Sequence, residues 1–196
     1  MKSVRMIALT GGIGSGKSTA LKILQDTGYK TLSCDKITSE LYEKRKVKLK
    51  LKKLFPSAVT GFFNPVIDRK AISAIVFNDK GKLEELTALI TPLVLKEAKR
   101  QATKLGGVVF VEVPLLFERG YQDEFDAVIV VTRDMKTRIA SVMERSNLTE
   151  QETVARINNQ FDYDNADLND YAVIENDGDL ISLKEKVLGI ASCLDD

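Results

Sequence analysis

Apolar and polar positions along this chain of 196 residues change period several times, and each change marks an element. Met6-Ile7-Ala8-Leu9 is a short apolar run of strand type within residues 4–9. From Ser18 to Thr27 the apolar residues Ala20, Leu21 and Leu24 fall at helical spacing, and Gly28 stands where a helix can end in the left-handed conformation. Tyr29 to Ser33 is short and bounded, which predicts a second strand ending at Cys34-Asp35.

From Lys36 to about Lys104 the pattern reads as helical. Thr38-Ser39-Glu40-Leu41-Tyr42 opens the stretch, and Val47, Leu51 and Leu54 then share one face of a helix that Phe55-Pro56 ends. Residues 61–65 read as loop. Asp68 is a candidate N-cap for a helix through Phe77, and Asp79 for the next, whose apolar face would be Leu83, Leu86, Leu89, Ile90, Leu93 and Val94. Pro92 is expected to kink that helix or split it in two.

The nearly continuous β-branched run Val108-Val109-Phe110-Val111-Glu112-Val113 predicts a buried parallel strand, and Ala127 to Val131 another. Helices follow at about 134–146 and 149–160, the second opened by the capping box Thr149-x-x-Glu152. Tyr171 to Ile174 is a last short strand, and a helix over about 180–193 closes the chain. Strands alternating with helices give an α/β fold with a parallel five-stranded sheet flanked by helices. The long helical stretch is too large for a simple crossover. The expected division is therefore a core of 1–35, 105–132 and 161–196, a helical insertion over 36–104, and a helical segment over 133–160.

Composition narrows this only slightly. Hydrophobic residues make up 44% and charged residues 29%, the balance of a soluble globular chain. No apolar run approaches the roughly 18 residues of a membrane span. The chain enters its first strand at once, which leaves no room for a signal peptide. Cys34 and Cys193 make neither a zinc spacing nor a disulfide framework, and a cytoplasmic protein is the economical expectation. A net charge of +1 gives nucleic acid no global attraction. The seven basic residues within 44–53 read first as a solvated helical face, second as weak attraction for a polyanionic small molecule. The chain has no histidine, so a general base must be a carboxylate or, failing that, a Lys, Tyr or Cys.

The strongest local pattern is Gly11-Gly12-Ile13-Gly14-Ser15-Gly16-Lys17-Ser18, which fits the phosphate-binding pattern G-x-x-x-x-G-K-[ST] without mismatch. Glycines let backbone N–H groups converge on phosphate oxygens. Lys17 would reach the β- and γ-phosphates, and the Ser18 hydroxyl would ligate Mg²⁺. A strand before and a helix after are the context this loop needs, which sets it apart from a chance glycine-rich turn.

A parallel sheet binds its ligand beyond the carboxyl ends of its strands. Those ends are Gly11–Ser18, Cys34-Asp35, Pro114–Glu118, Thr132–Asp134 and Asn176–Gly178, where the polar residues also gather. Asp35 is the candidate base, able to orient an alcohol and take its proton; it could also simply N-cap the next helix. Glu112 stands where an acid would hold the Mg²⁺ shell, or is a partly exposed strand residue. Glu118 contacts substrate or caps a turn. Arg133, Arg138, Arg145 and Arg156 follow the fourth strand. Arg138 and Arg145, seven apart, share a helical face that could close over a phosphoryl group as a lid, or could be solvated.

With these residues in place the chain resembles the dephospho-coenzyme A kinase family over nearly its whole length. The resemblance is carried by Leu9-Thr10-Gly11-Gly12-Ile13-Gly14-Ser15-Gly16-Lys17-Ser18-Thr19, by Asp35, and by Asp68-Arg69 with Ile75-Val76-Phe77-Asn78. It continues in Pro114-Leu115-Leu116-Phe117-Glu118, in Arg145 with Arg156-Ile157-x-x-Gln160, and in Asn176-Asp177-Gly178. It implies a P-loop kinase that moves the γ-phosphoryl group of ATP to the ribose 3′-hydroxyl of dephospho-CoA, with Mg²⁺. It also implies that 36–104 binds CoA and that 133–160 is the lid. ATP would lie on Gly12 to Thr19, with its adenine near Asn176 and Gly178. Dephospho-CoA would meet Asp35, Arg69, Pro114, Leu115, Leu116 and Glu118.

This sequence departs from the family pattern at three places: Ser33 stands where an Asp is usual, Thr91 where a His is common, and Ser141 where the lid often carries a second arginine. Arg138, one turn back on the same face, is the candidate substitute. The alternatives are another P-loop small-molecule kinase, for a nucleoside monophosphate or a sugar acid, and a regulatory nucleotide switch. The switch needs Asn-Lys-x-Asp and D-x-x-G, and neither occurs in the chain. No nucleic-acid or membrane partner is expected, and the chain is expected to be a monomer or weak oligomer.

Overall fold

A computed structural model describes residues 4–61 and 63–195. Residues 1–3, where the N-terminus is expected to enter its strand, and Phe62, within the loop expected over 61–65, lie outside the described residues. The chain divides into two units, one of residues 1–33 and 102–196 and one of 34–101.

The first unit is built on five parallel strands. They are β1 (Arg5–Thr10), β2 (Lys30–Ser33), β5 (Val108–Glu112), β6 (Ala127–Thr132) and β7 (Ala172–Glu175), in the order β2-β5-β1-β6-β7. Position in the sheet follows from side-chain chemistry. The three central strands are buried nearly end to end and are almost wholly apolar. The edge strands β2 and β7 carry Lys30, Thr31, Ser33 and Glu175 and are largely part-exposed. One face of the sheet, with Ile7, Leu9, Phe110, Ile129, Val131 and Ile174, packs on two helices. These are α1 (Lys17–Asp26), through Ala20, Ile23 and Leu24, and α8 (Leu180–Asp195), through Leu183, Val187 and Ala191. Each fully buried Leu or Ile contributes about 1.5–3 kcal/mol to holding these layers together.

The topology fixes where a ligand belongs. Because all pairings are parallel, Thr10, Ser33, Glu112, Thr132 and Glu175 end their strands on one side of the sheet. From central β1 the sheet extends through β5 and β2 one way and through β6 and β7 the other, so the crevice beyond β1 is its switch point. The loop 11–16 opens there. Gly28 ends α1 as expected, with φ 93° just after the last helical turn.

The second unit contains α2 (Cys34–Glu43), α3 (Arg45–Leu54), β3 (Val59–Thr60), β4 (Val66–Ile67), α4 (Arg69–Asn78) and most of α5 (Lys80–Leu105). Val47 and Leu51 are buried on α3 while most of its lysines are exposed or half-exposed, the pattern of a solvated basic face. Asp68 caps α4 through Oδ1, which accepts from the Ala71 amide at 2.9 Å. Asp79 caps α5 by accepting from the Lys82 amide at 3.0 Å.

Four local expectations need correction. Pro92 does not split α5, which is one helix of 26 residues. The proline and Ala88, whose carbonyl loses its partner, are both exposed, so water can satisfy the carbonyl while Ile90, Val94 and Ala98 keep one buried face. That face is narrower than periodicity suggests, since Leu83 is exposed and Leu86, Leu89 and Leu93 are only half-buried. The insertion is not purely helical, because β3 and β4 pair antiparallel. Asp35 is not the cap before α2 but its second residue.

Candidate active site

The phosphate-binding loop joins β1 to α1. Gly14 and Gly16 have φ 79° and 100°, where only glycine sits without strain. A Cβ at Gly14 would come within 2.8 Å of the Arg138 carbonyl oxygen, and one at Gly16 would run into the Asn176 amide. The loop is therefore gripped from outside as well as shaped from within. The Asn176 Nδ2 donates to the Ser15 carbonyl at 2.8 Å. The Ile13 amide donates to Gln160 Oε1 at 2.6 Å, and Arg138 Nε donates to the Ile13 carbonyl at 3.2 Å. Three distant segments thus hold the loop: the end of β7, the residues after α7 (Glu150–Asn158), and α6 (Met135–Ser146).

Lys17 is half-buried at the end of the loop. Its Nζ donates to the carbonyls of Gly11 and Gly12 at 2.7 and 2.9 Å. Burial lowers its pKa to about 8; Glu112 opposes that shift, and the charges of Arg138 and Arg145 add to it. A lysine so placed is short of negative charge and suited to receive phosphate. Next to it, the Ser18 hydroxyl donates to Glu112 Oε1 at 2.7 Å. Glu112 ends β5 with only 8% exposure. A hydroxyl and a buried carboxylate in contact form an all-oxygen pair, the donor chemistry that Mg²⁺ takes. Among the described residues no group of three or more His, Cys, Asp or Glu side chains is placed to hold a metal ion alone.

A cleft of about 260 Å³ opens over the loop, lined by Gly14, Gly16, Lys17, Ser18, Thr19, Arg133, Ser141 and Arg145. Arg145 is exposed, in the last turn of α6. Arg138 is 3% exposed and bonds the loop's backbone, with its Nη1 3.4 Å from Asp164 Oδ2. The seven-residue spacing predicts one face for these two arginines, but their surroundings differ completely. Arg156 is exposed on α7 and does not line this cleft.

The segment after β5 makes a strained turn, with Leu115 at φ 57°. Leu116 is fully buried and anchors the turn, while Pro114 and Leu115 remain half-buried. Glu118 Oε1 accepts from the Phe161 amide at 2.9 Å, and Glu118 Oε2 is buried without a partner. Phe117 packs against Phe161 and Tyr171 with ring centroids 4.8 and 5.0 Å apart. Burial pushes the Tyr163 phenol up to about 12, so it stays protonated. Asn176 is buried against Ser15, and Gly178 lies beside Ser182. The parts played by Gln160, Tyr163 and Asp164 are not visible in local patterning. Only the Arg156-Ile157-x-x-Gln160 string gives a sign of the first.

Asp35 and Arg69 belong to the second unit. Asp35 lies in the first turn of α2, two residues past Ser33, whose sheet partner is Glu112. Arg69 bonds Ser39 Oγ at 3.2 Å and Glu43 at 3.4 Å, over the Tyr42 ring.

A parallel sheet whose central strand runs into such a loop, with the loop lysine bonded to the loop's own carbonyls and the loop serine on a strand-end acid, defines a P-loop nucleotide-binding fold. Residues 5–182 match the sequence model of the dephospho-CoA kinase family, and the chain belongs to that family. It is 36% identical to the dephospho-CoA kinase of Fusobacterium nucleatum, over 94% of this chain and 96% of that one. A crystal structure from Thermus thermophilus, 32% identical, covers 98% of both chains with a TM-score of 0.86. The dephospho-CoA kinase from Campylobacter jejuni, 26% identical, covers 97% of this chain and 96% of its own with a TM-score of 0.69.

Proposed function

We propose that this chain transfers the γ-phosphoryl group of ATP to the ribose 3′-hydroxyl of dephospho-CoA, giving CoA and ADP, the last step of CoA synthesis. The observation that carries the reading is the half-buried Lys17 beside the Ser18–Glu112 pair, under an arginine-lined cleft, in a chain of this family. The bond from the γ-phosphorus to the bridging oxygen of ADP breaks, and a bond from that phosphorus to the 3′-oxygen forms. The hydroxyl proton passes to Asp35.

Each residue has a defined part. Backbone N–H groups from Gly12 to Thr19 cradle the phosphates, and Lys17 exchanges the Gly11 and Gly12 carbonyls for phosphate oxygens. Arg145 stabilises charge on the transferring group. Asp35 orients the acceptor and takes its proton; its place just beyond the strand that pairs with Glu112 supports this role. Ser18 and Glu112 would hold Mg²⁺, which neutralises charge on the phosphates. Residues 36–104, with Arg69, bind the CoA moiety together with Pro114, Leu115, Leu116 and Glu118. Residues 133–160, with Arg145 and Arg156, form the lid, which Arg138 ties to the loop, and Asn176 and Gly178 border the adenine.

No helix among the described residues is long and apolar enough to cross a membrane. The reading places the enzyme in the cytoplasm as a monomer or weak oligomer, without a nucleic-acid partner. A coupled ADP-release assay across dephospho-CoA, nucleoside monophosphates, gluconate and shikimate tests it. Turnover with dephospho-CoA alone is the expected result, and turnover only with another acceptor overturns it.

A further inference from the structure

We propose that Arg133, and not Arg138, is the second cation that this chain presents to the nucleotide phosphates, with Ser141 steering its guanidinium into the cleft. The assignment rests on the kinase reading above and concerns only how the donor is held.

Arg138 is already engaged. Its guanidinium is committed to the Ile13 carbonyl and to Asp164, and the side chain is 3% exposed. It is fixed as a strap on the loop. Releasing it would leave the Ile13 carbonyl and Asp164 without their partner. It therefore does not replace an arginine at position 141.

Arg133 is in the opposite condition. It follows the end of β6 and lines the cleft with Gly14, Gly16, Lys17, Ser18, Thr19 and Arg145. Its Nη1 donates to Ser141 Oγ at 3.2 Å, while its Nε is buried without a partner. It makes no ion pair among the described residues. The acid beside it in sequence, Asp134, is occupied as the α6 cap, accepting from the Thr137 amide at 2.9 Å. A guanidinium has five N–H donors in a rigid fork that matches phosphate oxygens. Leaving a buried donor unmade next to two further cations, Lys17 and Arg145, is costly without an anion. A polyphosphate in the cleft supplies that anion.

Ser141 completes the arrangement. It lines the same cleft as Arg133 and offers the fork an acceptor there. Arg133 also borders a second hollow of about 790 Å³, with Asp134, Tyr163 and Asp177 on its wall, so a contact with the base is the competing geometry. The test separates the two.

Calorimetric titration of the purified chain with ATP and with inorganic tripolyphosphate is run for the parent, Arg133→Gln, Arg133→Lys and the double variant Arg133→Gln/Ser141→Arg. Arg133→Gln is expected to weaken both ligands alike, by about tenfold, with an unchanged melting temperature. Arg133→Lys should lose less, because it keeps the charge. The double variant should recover most of the loss, since the new arginine starts from the position that holds the old one. Arg133→Gln and Arg133→Lys binding ATP as tightly as the parent would overturn the proposal. So would weakened ATP with unchanged tripolyphosphate, which is the signature of a base contact. A parent that binds ATP yet phosphorylates only another acceptor overturns the dephospho-CoA reading and leaves this comparison of affinities intact.

Discussion

The Ser18 hydroxyl donates to the Glu112 carboxylate at 2.7 Å across 94 positions of the chain. It joins the first turn of α1 to the carboxyl end of β5, on the strand next to the one that delivers the loop. Glu112→Gln keeps an acceptor for the hydroxyl but removes the charge. The expected effect is an approximately tenfold rise in the Mg²⁺ concentration for half-maximal turnover, with little change in melting temperature. Titrating Mg²⁺ in the ADP-release assay checks it; an unshifted curve would make the carboxylate a structural acceptor only.

Lys17 gives a pH dependence whose sign is fixed. Burial lowers its pKa to about 8 in the free chain, and phosphate favours its charged form. Below about 8 ATP meets a cation already in place. Above about 8 binding must first take up a proton, so affinity falls with rising pH by up to about tenfold per pH unit. The ATP-free protein responds the other way. Between about 8 and 10.5 the unfolded chain holds more protons than the folded one, so this group makes stability rise with pH. Lys17→Met should abolish most turnover, stay folded and remove this part of the pH dependence of ATP binding. Kinase activity near the parent's would contradict the loop reading.

On the proposed role of its carboxylate at the acceptor hydroxyl, Asp35→Asn should lower kcat by about 10²-fold or more while ATP affinity changes little. Steady-state kinetics with both substrates varied separates the two constants. Turnover close to that of the parent would remove Asp35 from the reaction.

Arg138 and Asn176 predict stability losses of different origin. Arg138→Leu should cost about 2–3 kcal/mol in urea unfolding, since it removes a buried guanidinium from the Ile13 carbonyl and Asp164. Asn176→Ala strips the buried tie to Ser15 and should cost about 1–3 kcal/mol. Arg133→Gln, whose parent side chain makes one bond to Ser141, should not approach either figure. Equal losses for all three would erase the distinction drawn between strap and ligand.

The sequence by itself determined the five strands of the parallel sheet, the main helices and the loop, because these rest on local physics, though not the short β3–β4 pair. Alternating and continuous apolar runs can be buried in few ways, and only glycine accepts the positive φ at positions 14 and 16 without strain. It also placed Lys17 and Ser18 beyond the end of the first strand, where parallel sheets put their sites, and Glu112 inside the third strand, at the position of an acid for the Mg²⁺ shell. Local rules failed where solvent exposure mattered: Pro92 rides inside α5 because its own position and the carbonyl it leaves unpaired face water. The tertiary structure alone decided which arginine does what. Arg138 and Arg145 share a helix and a spacing, yet one is sealed against Ile13 and Asp164 and the other opens on the cleft. Three-dimensional packing set that difference, because burial and partners come from segments far apart in the chain. The same holds for the loop where the chain's chemistry is concentrated. Its residues were legible from position 11 onward, but the grip of Gln160 and Asn176 on it belongs to the fold.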